Sequence, residues 1–364
     1  MSAAEIAMTT AVPHNRLTFT ETEVEAVARV VRSGHWAQGP RVAELERELA
    51  RMAGVQYAVC VACGLSALRL SLGALKVSSG DKVLLPAYSC VALANACLSW
   101  GATPVPIEIE SSTWNIEPYA CRCAIEGSGP KAVIAVNTFG APADLSLEQN
   151  TSVPIIEDCA HGFGVDSEAS RLGGRSEIGV LSFYATKLLG GGEGGAVLTN
   201  SSSIHEFVRS TRDYSDQPPD GRRFNDKMTD LEAALVLTQL DRLPSMLAKR
   251  EALAHRYIEL LRGPSGVDNK FRLPEPDCNR VWYRFVVEML EASADSVVSA
   301  LKLEGVDAAL PVTDWRSGSN GNCPIADRAY HSLLSLPLYP TLTHEEQDLV
   351  VRSFLKVCRE ADCV

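Results

Sequence analysis

The sequence has no run of lysine or arginine longer than two residues, Arg222-Arg223 being one such pair. A protein that grips nucleic acid through a basic face needs more than that, and the formal net charge of −11 at pH 7 points the same way. No apolar stretch is long enough to span a bilayer, so no membrane partner is expected. The N-terminus, Met1-Ser2-Ala3-Ala4-Glu5, lacks a basic patch followed by an apolar run, and no signal peptide is expected. Zinc spacing is missing too. The single C-x-x-C pair, Cys60-Val61-Ala62-Cys63, has neither a second pair nor nearby histidines, and Cys121-x-Cys123 is too tight, so no metal is expected. The 11 cysteines are odd in number and scattered, which reads as reduced thiols in a cytoplasmic protein. Cys60 lies in an apolar strand pattern and reads as a buried, inert thiol rather than half of a redox pair.

What the chain has is the means to build a core. Of its 364 residues, 46% are hydrophobic, and the charged fraction of 22% is too ordinary for broad disorder. Apolar spacing predicts helices over 20–33 and 41–53. Short apolar strands then alternate with helices: strands over 57–61, 82–85, 105–109, 132–137, 154–157, 180–184 and 196–199, with helices over 65–75 and 91–100. This pattern predicts an α/β fold with a mostly parallel central sheet covered by helices. Long helices follow over 229–243 and 247–261, and 263–266 reads as a hinge. A strand over 281–289 and helices over 292–303 and 345–359 complete a smaller α+β unit. The expected division is a large domain over 1–250 and a small one over 251–364.

Ligands of such sheets bind at the carboxyl ends of the strands, and three segments place chemistry there. In Cys63-Gly64-Leu65-Ser66, a strand ends and a helix begins, offering free N–H groups to a phosphate; a plain helix start capped by serine fits as well. In Ile155-Ile156-Glu157-Asp158-Cys159-Ala160-His161, Asp158 can hold the N–H of a heterocycle or cap the next helix. His161, three residues on, can reach the same ligand or serve structure alone. Lys187 follows Ser182-Phe183-Tyr184 and precedes a glycine-rich loop, Gly190-Gly191-Gly192-Glu193-Gly194-Gly195. It suits an imine-forming amine, and a surface lysine beside a flexible loop would read the same.

The strength lies in the combination: phosphate turn, strand-end Asp, Lys and glycine-rich loop in one order. That set resembles the pyridoxal 5′-phosphate (PLP) enzymes of the aspartate aminotransferase fold (fold type I), and more narrowly the DegT/DnrJ/StrS sugar aminotransferases. The resemblance runs from about Gly34 to Tyr339. Further motifs carry it: Gly34-His35-Trp36, Leu45-Glu46-Arg47-Glu48-Leu49-Ala50, Gly80-Asp81-Lys82-Val83, Asn225 with Met228, Asp230-Leu231, Gln239-Leu240 and Leu336-Pro337-Leu338-Tyr339.

The resemblance implies roles. Lys187 forms the imine with PLP, and Asp158 contacts the pyridine nitrogen. His161 lies near the ring hydroxyl. Ser182 and the turn Gly64, Leu65 and Ser66 hold the phosphate, joined by Asn225 of the partner subunit in a homodimer. The implied reaction moves an amino group from an amino acid, L-glutamate, to a nucleotide-linked keto sugar. Family dehydratases carry His in place of the imine lysine, so Lys187 argues against dehydration. The sequence departs from the family pattern in four places. Leu65 stands where Thr is usual, and Cys90 stands where an aromatic stacks on the ring, with Tyr88 as a substitute. Asn225-Asp226-Lys227 replaces Asn-Tyr-Arg. The short stretch between Leu310 and Cys323 lacks the usual His/Tyr/Pro pattern, which leaves open a cyclitol or other non-sugar ketone as acceptor. A PLP-fold sensor without catalysis is the remaining alternative.

Overall fold

The computed structural model describes residues 11–146, 151–164, 166–167, 170–215, 221–263, 269–276, 280–316 and 322–360. In chain order the first elements are α1 (Glu21–Ser33), α2 (Pro40–Ala53), β1 (Tyr57–Val61), α3 (Gly64–Ala74), β2 (Lys82–Pro86), α4 (Val91–Leu98), β3 (Thr103–Ile107), α5 (Pro118–Ser128) and β4 (Ala132–Val136). Next come β5 (Ile155–Asp158), the two-residue strands β6 (Asp166–Ser167) and β7 (Ser170–Arg171), β8 (Ile178–Ser182), β9 (Gly195–Thr199), α6 (Ser202–Thr211), α7 (Asp230–Leu240) and α8 (Leu243–Leu261). The last part holds β10 (Phe271–Arg272), β11 (Phe285–Met289), α9 (Ala294–Leu303), α10 (Pro324–Ser332), β12 (Leu333–Leu336) and α11 (His344–Glu360).

Seven strands form one sheet in the order β1-β9-β8-β5-β4-β2-β3. Only β9 runs against its neighbours; the remaining pairs are parallel. Alternation along each strand sends side chains to opposite faces. Ala58 and Cys60 of β1 pack with α2 and α7, while Val59 and Val61 pack with α3 and α4. Both faces are thereby covered, so these strands are continuously apolar rather than alternating. Each fully buried aliphatic side chain contributes about 1.5–3 kcal/mol.

A second, antiparallel sheet, β10-β11-β12, lies beneath α8, α9 and α11. The N-terminal strap joins its core: Val12 pairs with Val306 and is fully buried. Residue 250 falls inside α8. Leu243 and Met246 of that helix pack with the large sheet, whereas Leu253, Ala254 and Tyr257 pack with the small one. Of the expected hinge, Gly263 ends the described stretch, and Pro264, Ser265 and Gly266 lie outside the described residues.

Several expected boundaries move. The strand expected over 105–109 is Thr103–Ile107, and it holds Pro104 and Pro106. It is an edge strand, where a missing N–H costs no ladder bond. The strand expected over 180–184 ends at Ser182, which leaves Lys187 in the following turn. The strand expected over 281–289 begins only at Phe285. Val281 is drawn off instead to donate its N–H to Gly140 O at 2.9 Å.

Candidate active site

At the carboxyl ends of β5 and β8 lies a cavity of about 390 Å³, a volume typical of small-molecule sites. Seven of the nine expected site residues line it: Gly64, Leu65, Tyr88, Asp158, His161, Ser182 and Lys187.

Asp158 is the last residue of β5 and only 4% exposed. Its Oδ1 accepts the Ala160 N–H at 2.9 Å. Burial pushes its pKa up, and the Ala160 N–H and the charge of Lys187 offset this only in part. The neighbouring Glu157 points the other way, as strand alternation requires. It accepts Arg175 Nε at 2.8 Å, Gly173 N at 3.0 Å and Asn137 Nδ2 at 3.0 Å. Of two adjacent carboxylates, one is therefore spent on structure and one faces the cavity.

Lys187 sits in a turn whose N–H groups are tied down. Its own N–H donates to Tyr184 O at 2.8 Å, and Ala185 N donates to Gly192 O at 3.0 Å. Gln239 of α7 pins the glycine-rich loop from both sides. It accepts Gly190 N at 2.8 Å and donates to Gly190 O at 2.7 Å. Lys187 Nζ lies 5.1 Å from the centroid of the Tyr283 ring. Gly64 opens α3, and a Cβ there would meet Ser182 Cβ at 2.9 Å, so glycine lets the helix start come up against Ser182.

The His161 ring stacks on Tyr283 at 4.3 Å and 13°, and lies parallel to Phe139 at 6.1 Å and 14°. Burial, with Lys187 and Arg284 acting the same way, holds its pKa well below the usual histidine value, so the ring is neutral. Tyr88 is 1% exposed, wedged between Phe139 and Tyr330. Cys90 is exposed and also lines the cavity, so both candidates for the aromatic position reach it.

Two expected residues lie elsewhere. The Ser66 hydroxyl donates to Asp226 at 2.9 Å and does not line the cavity. Asp226 also pairs with Arg69, so the Asp that replaces the family's Tyr anchors α3. Asn225 is exposed and outside the cavity of its own chain.

Sequence reading missed Thr138, Phe139, Glu193 and Val312 in the cavity wall, and Tyr283 behind it. Phe139 reaches the cavity from a backbone with φ of +52°. Glu193 had a signal, as the one charge in the glycine loop.

Three buried polar atoms at this cavity have no hydrogen-bond partner among the described residues: Thr138 Oγ1, His161 Nδ1 and Tyr88 OH. With the buried Asp158 carboxylate they leave the cavity wanting a polar ligand that brings a positive N–H. A protonated pyridine ring with a hydroxyl and a phosphate meets those demands.

The family model for DegT/DnrJ/EryC1/StrS aminotransferases matches residues 18–355. The chain belongs to this family. It is a PLP-dependent aminotransferase of fold type I. Solved members superpose closely. The aminotransferase TlmJ from Streptoalloteichus hindustanus gives a TM-score of 0.89 at 28% identity, covering 97% of this chain and 100% of TlmJ. DesV from S. venezuelae, solved with a ketimine intermediate, gives 0.83 at 29%, covering 92% of this chain and 94% of its own. A DegT/DnrJ/EryC1/StrS aminotransferase from Brucella abortus gives 0.84 at 25%, covering 92% and 95%. Lys187 and Asp158 both line the cavity at the carboxyl ends of β5 and β8. No helix among the described residues is long and apolar enough to cross a membrane, and no metal-binding cluster is found among them.

Proposed function

We propose that this aminotransferase moves the amino group of an amino acid, L-glutamate, to a keto sugar carried on a nucleotide. The observation that carries the reading is the convergence of Lys187 and Asp158 in one cavity where the buried Thr138 Oγ1, His161 Nδ1 and Tyr88 OH lack partners among the described residues. When bound, PLP supplies an electron-accepting ring that loosens the α-proton of an amino acid.

The chain's own residues do the rest. With PLP bound, Lys187 Nζ would tether it and, when free, would be placed to move the α-proton of the amino donor. The Asp158 carboxylate holds the proton on the ring nitrogen. A bound cation of this kind answers the burial that pushes the Asp158 pKa up. Neutral His161 meets the ring hydroxyl. The N–H groups at the start of α3, from Gly64 and Leu65, and the Ser182 hydroxyl hold the phosphate. Asn225 of the partner subunit completes that phosphate site in a homodimer.

A cyclitol or other non-sugar ketone is the second reading. The observation behind it is that, of the described residues between 310 and 323, Val312 reaches the cavity while Arg316 is held by Asp314 and Asp327 at 2.7 and 2.8 Å.

The test is an absorption spectrum of the purified protein with PLP, before and after L-glutamate. We expect a visible band that Lys187→Ala abolishes or shifts, and that glutamate bleaches in wild type. No band after adding PLP would sink the site assignment. A band that no amino donor bleaches would sink the transfer reaction and leave a sensor.

A further inference from the structure

Beside Tyr283 a smaller cavity of about 100 Å³ lies between the N-terminal strap and the C-terminal sheet. His14 and Asn15 of the strap, Thr186, Arg250 of α8, Arg284 and Ser335 line it. Two guanidinium groups share this space, and among the described residues no carboxylate does. Arg250 is 5% exposed, and its Nη1 donates to backbone carbonyls, Leu338 O at 3.0 Å and Tyr283 O at 3.1 Å. Arg284 is half-buried. Its guanidinium lies 5.6 Å from the Tyr283 ring centroid, and its Nη1 is buried with no hydrogen-bond partner among the described residues. His14 bonds Ser335 Oγ at 3.0 Å. Burial, then Arg284, lowers its pKa to about 4, so it brings no third charge.

Cations buried without an acid are costly, and two in one small space repel each other. What relieves both is a small anion. A planar carboxylate fits the guanidinium fork and the volume.

The cavity lies one layer from the reacting centre. Lys187 does not line it, but Lys187 lines a neighbouring space of about 200 Å³ together with Asn15 and Arg250, which line both. The α-carboxylate of a donor is bonded to the reacting carbon and must stay beside Lys187. A carboxylate further along the substrate can extend past Asn15 and Arg250, which line both spaces, towards Arg284. Resting on the reading that an amino acid is the donor, we propose that Arg284, backed by Arg250 and Asn15, binds the side-chain carboxylate of a dicarboxylic amino donor and so selects it over neutral amino acids.

The probe is glutarate, which has two carboxylates and no amino group. Calorimetric titration of the PLP-loaded enzyme should show glutarate binding. Arg284→Met should weaken it by on the order of 10- to 100-fold, and Arg284→Lys by less. In band-bleaching kinetics, Arg284→Met should lower the kcat/KM ratio of L-glutamate to L-alanine by a similar factor. The unliganded Arg284→Met protein should melt at the wild-type temperature or above, because a half-buried cation whose Nη1 has no hydrogen-bond partner among the described residues has gone. Glutarate binding unchanged by Arg284→Met, or equal losses for glutamate and alanine, would overturn the proposal. So would a large fall in melting temperature. A missing visible band in wild type counts against the cofactor site alone, and glutarate binding is then titrated on wild type and Arg284→Met without PLP.

Discussion

Asp158 places a carboxylate in a cavity where, without cofactor, one N–H and a nearby lysine are its visible support. Its pKa is raised, so the folded state keeps a proton to higher pH than the unfolded chain does. The sign follows: Asp158 loses the protein stability as pH rises from the ordinary aspartate range through its own raised value. At neutral pH, then, Asp158→Asn should stabilise the cofactor-free protein, with about 1–2 °C in Tm for each kcal/mol. The same change should slow bleaching by glutamate about 10²- to 10⁴-fold. A lower Tm for the cofactor-free variant would make Asp158 a structural residue instead. Asp158, His161 and Lys187 drew notice in the sequence because each is a reactive residue type following an apolar strand, whereas Ser182 lies inside the strand expected over 180–184 and entered through the family resemblance; all four line the cavity. Tyr283 and Arg284 were not. In the sequence they are ordinary positions in an expected strand over 281–289. They meet the site because Gly140 lets Val281 approach; a Cβ on Gly140 would stand 1.7 Å from Val281 O. Nothing local to either segment encodes that contact.

The family motifs acquire physical meanings at the level of elements. Asp230, the first residue of α7, accepts three backbone N–H groups at the start of α2: Gly39 at 2.9 Å, Val42 at 2.9 Å and Arg41 at 3.2 Å. A Cβ on Gly39 would come within 2.8 Å of that carboxylate, which explains the glycine in Gly39-Pro40. Asp230 is 2% exposed, so water cannot replace it. Asp230→Ala should cost about 2–4 kcal/mol, read from the urea midpoint, because buried donors are left unsatisfied. The visible band should still form, since Asp230 is no part of the cavity wall. A midpoint unchanged within error would mean the three bonds are worth little. Helices α5, α6 and α10 were not anticipated, although their starts carry signals: Pro118 after Glu117, the Ser201 cap, and Pro324. For the domain division we propose α8 itself as the joint, since its two halves belong to different cores.

For the whole molecule, alternating strands and helices were enough to give a mostly parallel covered sheet. They did not reveal that β9 runs antiparallel, nor that Val12 crosses to the C-terminal core, because pairing partners are set by contacts distant in sequence. Assembly is the scale at which Asn225 can be understood. It is exposed and absent from its own cavity, and Leu65 and Tyr184 in that cavity's wall are 38% and 49% exposed. Apolar surface at the rim of a site is what a second copy would cover. If each site joins Lys187 of one subunit to Asn225 of the other, two defective proteins should repair each other. Lys187→Ala dimers lack the tether in both sites, and Asn225→Ala dimers lack the phosphate ligand in both. A mixed dimer pairs the intact Lys187 of one chain with the intact Asn225 of the other in one site, and leaves the second site doubly defective. Random mixing makes half the dimers mixed, so activity should recover to about a quarter of wild type by symmetry alone. The assay is amino transfer after the two variants are denatured together and refolded, compared with each refolded alone. Recovery no greater than the mean of the two separate proteins would place Asn225 outside any shared site, and the phosphate would then rest on Gly64, Leu65 and Ser182 of a single chain.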